Sequence, residues 1–251
     1  MNYIAVRLIV LACVFGGALF GMFLRGVLPE NHLSADSKDT VRLGIGLLGT
    51  MTALVLGLLV ASAKSFYDTQ SSELTEMSAK AVLLDRVLAH YGPETKEVRD
   101  LLHSAVAHTL EMLWPKDRRQ HPQMEPTAAG GEILYDKIQE LSPKDDAQRS
   151  LQAQALNMAI DLGKMRWLMF AQGGSSVSMP LLATLVFWLA IIFSSFGLFA
   201  PSNPTVIATL FLCALSVSGA IFLILEMYRP FEGLMQISSA PLRSALAHLG
   251  Q

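Results

Sequence analysis

The sequence predicts an all-α membrane protein, with four transmembrane helices and a cytoplasmic helical bundle formed by extensions of those helices. Three observations predict it. Of 251 residues, 52% are hydrophobic and 16% charged, with a mean hydropathy of +0.41, whereas soluble domains carry about 25% charge. Charge-free windows long enough to cross an apolar layer of about 30 Å recur along the chain. Between them, apolar residues repeat at three and four residue steps, and no period-two run is long enough for a strand.

The first window lies between Arg7 and Arg25. Arg7 followed by Leu8–Phe15 imitates a signal peptide, and Val10-Leu-Ala-Cys13 a lipoprotein cleavage box. The residues stay apolar through Leu24, however, longer than a usual signal core, which predicts an uncleaved helix. The second window runs from Leu43 to Ala63. No residue between Arg166 and Glu226 is charged, and Pro201-Ser-Asn-Pro204 interrupts this run with strong turn chemistry, which gives spans near 180–200 and 205–225.

No stop follows Ala63, and Leu74, Met77, Ala81, Leu84, Leu88 and Tyr91 form one stripe. The second span is therefore expected to continue as a helix to Tyr91, where Gly92-Pro93 ends it. Pro93 suits the first turn of the next helix, with Glu94 and Glu97 near its positive end. That helix carries Val98, Leu101, Leu102, Ala105, Thr109 and Met112 and stops at Trp114-Pro115. Residues 115–131, with three prolines and two glycines, read as a loop. Ile133–Leu141 reads as a short helix. Ser142 is expected to cap a helix opening at Pro143, with the stripe Leu151, Ala155, Met158, Leu162, Met165 and Leu168, broken at Gln172-Gly-Gly-Ser-Ser176. The expected division is 1–63 (first and second spans), 64–179 (cytoplasmic helical region), 180–229 (third and fourth spans) and 230–251 (cytoplasmic tail).

Four spans put both termini and residues 64–179 on one face. Arg7, Lys64, Lys80, Lys164, Arg166, Arg229 and Arg243 lie there, against Arg25, Lys38 and Arg42 opposite. That excess of cations predicts the first face to be cytoplasmic. The expected location is the bacterial inner membrane, in contact with its lipids. A net charge of -2 offers no basic field for nucleic acid, and two cysteines exclude a disulfide scaffold.

Catalytic and metal motifs are not found. Gly44-Ile-Gly46-Leu-Leu-Gly49 spells a dinucleotide fingerprint but sits inside a span, without the preceding strand the fingerprint requires. The better reading is close helix packing through Gly46, Gly49, Ala53 and Gly57, and through Gly17 and Gly21 in the first span, with oligomerisation as its product. The six histidines show no zinc-ligand spacing, and Ser62 and Ser65 have no nucleophile context, so neither a cofactor nor enzymatic activity is expected. Thr50 and Thr52 either line a water path or bond back to their own helix. Glu226 and Arg229 read as a boundary anchor or, with Lys64, as part of a charged pore mouth.

Two stretches carry a family resemblance. One is Leu48-Gly-Thr-Met-Thr-Ala-Leu-Val-Leu-Gly-Leu-Leu-Val-Ala-Ser-Ala-Lys64, with Tyr67 to Gln70, Ser78-Ala-Lys80, Asp85-Arg86 and Tyr91-Gly-Pro93 after it. The other is Glu226-Met-Tyr-Arg-Pro-Phe-Glu-Gly233 with Ile237-Ser238 and Pro241. Together they resemble the bacterial bestrophin-like membrane proteins. Bestrophins are ring-shaped channels with four spans per subunit, whose second helices line the pore and continue into a cytosolic vestibule. The resemblance implies a homo-oligomer, a pentamer by that likeness, and passage of ions, anions in the expected case. Pore-lining candidates are Thr52, Leu56, Leu59, Ala63, Lys64 and Phe66, with Leu56, Leu59 and Phe66 as the apolar constriction. No acidic cluster resembles the bestrophin calcium clasp. The alternative is a non-conducting scaffold or sensor whose helical bundle binds a partner. In the tail, Pro230 ends the fourth helix and Gly233 permits a tight turn. Phe231, Leu234 and Ile237 are expected to dock on the bundle, with Arg229 paired to an acid, Glu226 being the nearest candidate.

Overall fold

The computed structural model describes residues 3–29, 35–115, 128–173 and 178–251. Its elements are α1 (Tyr3–Val27), α2 (Ala35–Tyr91), a 3-10 turn (Pro93–Thr95), α3 (Lys96–Leu113), α4 (Ala128–Gln139), α5 (Asp146–Gly173), α6 (Met179–Phe199), α7 (Pro204–Met227) and α8 (Ala240–His248). Among the described residues there is no strand. Among the described residues, four helices are long and apolar enough to cross a membrane: α1, α2, α6 and α7. The chain divides into two compact units, Met1–Phe66 with Ser176–Tyr228, and Tyr67–Ser175 with Arg229–Gln251.

In the first unit α1 packs on α6 and α7. Val10, Val14 and Ala18, four residues apart on α1, are buried, as are Leu185 and Leu189 of α6 and Ala214 and Ile221 of α7. Small residues set the α1–α6 separation. A Cβ on Gly17 would stand 2.7 Å from the Ala190 carbonyl oxygen, and one on Gly21 or Gly197 would collide with the Ser194 or Ala18 carbonyl. Close backbone approach replaces hydrophobic driving force where the surroundings are themselves apolar. Buried Ser218 is satisfied by donating to the Arg7 carbonyl at 3.0 Å. Between α6 and α7, the Asn203 side chain accepts from the Val206 amide at 2.9 Å and caps α7, with Pro204 in its first turn.

The second unit is a helical bundle. Its core joins Leu74, Leu84 and Leu88 of α2, Leu102 of α3, Ile138 of α4, Ala155 of α5 and Leu242 of α8. α2 does run unbroken to Tyr91, and Gly92, at φ 136°, makes the reversal into α3. That φ lies in the region that favours glycine. Thr95 is fully buried there, its hydroxyl 2.6 Å from the Leu88 carbonyl oxygen.

Three local expectations need correction. α4 begins at Ala128, so the expected loop is helical from 128 on, and its residues 116–127 lie outside the described residues. α5 opens at Asp146 and not at Pro143, because the Asp145 carboxylate, not Ser142, accepts from the Gln148 amide, at 2.7 Å. The second helix begins at Ala35, eight residues before the expected window that opens at Leu43. Residues 174–176, expected to break the helix before the third span, lie outside the described residues.

Candidate functional site

The long helix α2 has two faces. Thr52, Leu59, Ala63, Gln70, Leu74, Met77, Ala81, Leu84 and Leu88 are buried, and all fall on one stripe at the helical repeat. The opposite side of the apolar stretch is open: Leu43 is 79% exposed, Leu54 74% and Leu58 60%. This assigns the expected pore residues to different places. Thr52, Leu59 and Ala63 have almost no surface left to offer a pore; Leu56 and Phe66 are half-buried; Lys64 is exposed. The rotation of the helix decides this, and neighbours set the rotation: Phe66 stacks on Tyr228 with ring centres 5.3 Å apart, and the Ser62 and Tyr228 hydroxyls lie 3.0 Å from each other. Both candidate threonines bond back to their own helix, Thr50 to the Leu47 carbonyl and Thr52 to the Leu48 carbonyl, each at 2.7 Å.

The glycines divide as well. Gly17 and Gly21 are filled against α6, within the chain, and that contact is not between subunits. Gly46, Gly49 and Gly57 face open space, with nothing within 4 Å of where a Cβ would stand.

In the second unit, two polar clusters interrupt the apolar stripe of α2. Gln70 donates to the Gln172 side chain at 2.8 Å, and Gln172 donates to Glu73 at 3.0 Å. Further along, Asp85, 1% exposed, receives both arms of Arg99 at 2.7 and 2.9 Å, and the Gly250 amide at 3.3 Å. The hydrogen bond to Asp85 raises the Arg99 guanidinium above its ordinary value, against the opposing effect of burial. Arg99 and Arg86 also donate to the Gln251 carbonyl, at 3.2 and 3.1 Å. Gln70 and Asp85 lie in stretches that carry the family resemblance and show as polar positions on an otherwise apolar helical stripe, but nothing in the sequence marks Gln172 and Arg99 as their partners.

The tail motif is divided between the two units, Glu226 belonging to the first and Arg229 to Gly233 to the second. Glu226 is buried at the end of α7. Within the second unit, Arg229 pairs with Glu232, three residues ahead, at 2.8 Å. Pro230 accepts from the Ile237 amide at 2.7 Å, and Gly233, at φ 77°, makes the turn between them. Phe231 is 2% exposed, with its ring edge-on to Trp114 at 5.6 Å, and the Trp114 indole donates to the Ile237 carbonyl at 3.2 Å. Leu234, expected to dock beside Phe231 and Ile237, is 81% exposed, because the Gly233 turn carries it outward. The helix α8 that follows was not foreseen.

Comparison with known proteins places this architecture. The sequence matches the family model described as Bestrophin-like domain over residues 12–242. No curated protein matches it. The fold is similar to crystal structures of single-substitution variants of a bacterial bestrophin homologue from Klebsiella pneumoniae. One has a TM-score of 0.70 at 14% identity, covering 99% of this chain and 97% of that one. Two others have TM-scores of 0.66 and 0.67, each at 14% identity, and cover 98% and 96% of this chain and 99% and 97% of theirs.

Proposed function

This chain belongs to the bestrophin-like family, and we propose that it is a homo-oligomeric ion channel of the bacterial inner membrane, conducting anions, with its α2 helices lining the pore. Bestrophins are ring-shaped channels built on a second helix of this kind, and five copies is the number their likeness implies. The observation that carries the proposal is the exposed face of α2. A stripe through Leu47, Thr50, Leu54, Ala61 and Ser65 lies about half a turn from buried Thr52, Leu59 and Ala63. Beside it, Gly46, Gly49 and Gly57 leave room for a neighbouring backbone.

In this reading Leu54 supplies the apolar constriction in place of Leu59, Thr50 lies on one side of it, and Ser65 with Lys64 on the other. A ring of Lys64 ammonium groups favours anions at that mouth. The excess of cations at Arg7, Lys64, Arg229 and the other positions on their side supports a cytoplasmic location for that mouth and both termini.

Purified oligomer in planar bilayers is expected to conduct chloride, and Leu54→Ala to raise unitary conductance while Leu59→Ala does not. Cysteine placed at 54 should react with a water-soluble thiol reagent and block current, and cysteine at 59 should not. A correctly assembled oligomer that stays silent across voltage and pH refutes conduction and favours a membrane scaffold. Block at 59 and not at 54 refutes the assignment of the face.

A further inference from the structure

A half-open cavity of about 80 Å³ lies in the second unit, among helices α2 to α5 and α8. Its walls are almost wholly apolar, with Met77, Leu102, Leu134 and Leu162 prominent, and its polar side chains are Thr109 and Arg166. The Thr109 hydroxyl is already committed to the Ala105 carbonyl at 2.8 Å. Arg166 is different. It is half-buried, and among the described residues no carboxylate, carbonyl or ring partners its guanidinium. Burial alone acts on it, pushing it below its ordinary value. An arginine stays protonated under such a push, so a cation without a counterion is left at an apolar wall. The guanidinium keeps access to water, so what it lacks is a charged partner and not hydration. Two other partly buried arginines described in this unit do have carboxylates, Arg99 with Asp85 at 2.7 Å and Arg229 with Glu232 at 2.8 Å.

We propose that this cavity is a binding site for a small organic anion, a carboxylate on a short apolar body, with the carboxylate on Arg166 and the body against Met77, Leu102, Leu134 and Leu162. A guanidinium presents two parallel N–H donors that match a carboxylate. The volume bounds the body. A cavity of roughly 150 Å³ takes a benzene ring, so about half of that takes roughly three or four carbons. Branched short-chain acids fill the enclosed part, and because the cavity is half open a longer chain gains no further enclosed wall. The site does not depend on conduction: it uses only residues of the second unit and holds whether or not the spans form a pore.

The test uses the full chain in lipid nanodiscs, with sodium isovalerate as probe and saturation-transfer NMR and thermal unfolding as readouts. Isovalerate at millimolar concentration should bind saturably and raise the unfolding midpoint. Acetate, which lacks the body, should bind more weakly, and isoamylamine, which reverses the charge, should not bind. Arg166→Gln should weaken isovalerate binding about tenfold or more, the scale of a lost charged hydrogen bond. Ala105→Leu fills the cavity without touching the guanidinium and should abolish binding with the fold intact; it decides the matter if Arg166→Gln does not fold. Binding unchanged in Arg166→Gln, equal binding of the amine, affinity that keeps rising with acyl length, or no saturable signal from the wild-type chain would each overturn the proposal.

Discussion

Replacing Asp85 by alanine removes the carboxylate that holds α2, α3 and the last residues of the chain together. Asp85 is 1% exposed and accepts from Arg99 Nε at 2.7 Å, from Arg99 Nη2 at 2.9 Å and from the Gly250 amide at 3.3 Å. Charge-assisted hydrogen bonds contribute about 1.5–3 kcal/mol each, and breaking a buried ion pair from one side costs about 3–5 kcal/mol. The Arg99 side chain is 20% exposed, so it can recover part of its hydration by turning outward. The Gly250 amide, at the longer distance, adds little. The loss should therefore fall near the low end, about 3 kcal/mol. For a domain of this size that corresponds to a fall in unfolding midpoint of roughly 6–12 °C. Chemical denaturation of the full chain in nanodiscs measures it, with the double variant Asp85→Leu/Arg99→Met as the control. The double variant should be less damaged than Asp85→Ala, because no unpaired charge remains. A loss under about 1 kcal/mol, the level of an exposed surface pair, would refute the reasoning. So would a double variant whose loss equals the sum of the two single losses, since contacting partners must be non-additive.

The remaining predictions follow from single contacts. Phe231→Ala empties a site 2% exposed and removes the edge-on contact with Trp114, and should cost about 3–5 kcal/mol, read by denaturation; Leu234→Ala, at an 81% exposed position, should change stability by less than about 0.5 kcal/mol. Gly21→Ala drives a methyl group into the Ser194 carbonyl and should force α1 away from α6, detected as protease sensitivity of the chain; Gly57→Ala, with open space at the same test position, should leave the isolated chain unchanged. Gly92→Ala places a side chain at φ 136° and should cost about 1–3 kcal/mol without altering helix content by circular dichroism.

Much of the fold was legible in the sequence because it is written in local terms. Hydropathy over windows of about 20 residues marks a spanning helix whatever surrounds it. Gly92-Pro93 and Pro201–Pro204 end helices through backbone chemistry that needs no distant partner, and the stripe from Leu74 to Leu88 fixes a helix by its period alone. The boundary errors were also local. Asp145 competes with Ser142 for the same role, and both are good caps, so sequence reasoning had no means of ranking them.

The candidate site was legible only as far as the element that carries it. The sequence offers α2 as the candidate pore helix, but in a uniformly apolar span every face looks alike, and Thr50 and Thr52 are equivalent in sequence. Which one turns inward depends on Tyr228, 176 residues beyond Thr52 in the chain, stacking on Phe66. The same holds for Asp85 and Arg99, for Phe231 and Trp114, and for the unpaired guanidinium of Arg166: each depends on residues far apart in the chain being brought within a few ångströms. The sequence by itself determined that the chain is helical, where its spans lie and that α2 runs on to Tyr91, since hydropathy, period and turn chemistry act over a few residues. The rotation of α2, the pairing of Asp85 with Arg99 and which glycines are filled follow from the tertiary structure alone, because those are set by contacts between separate helices, and a helix period is the same whichever way the helix is turned.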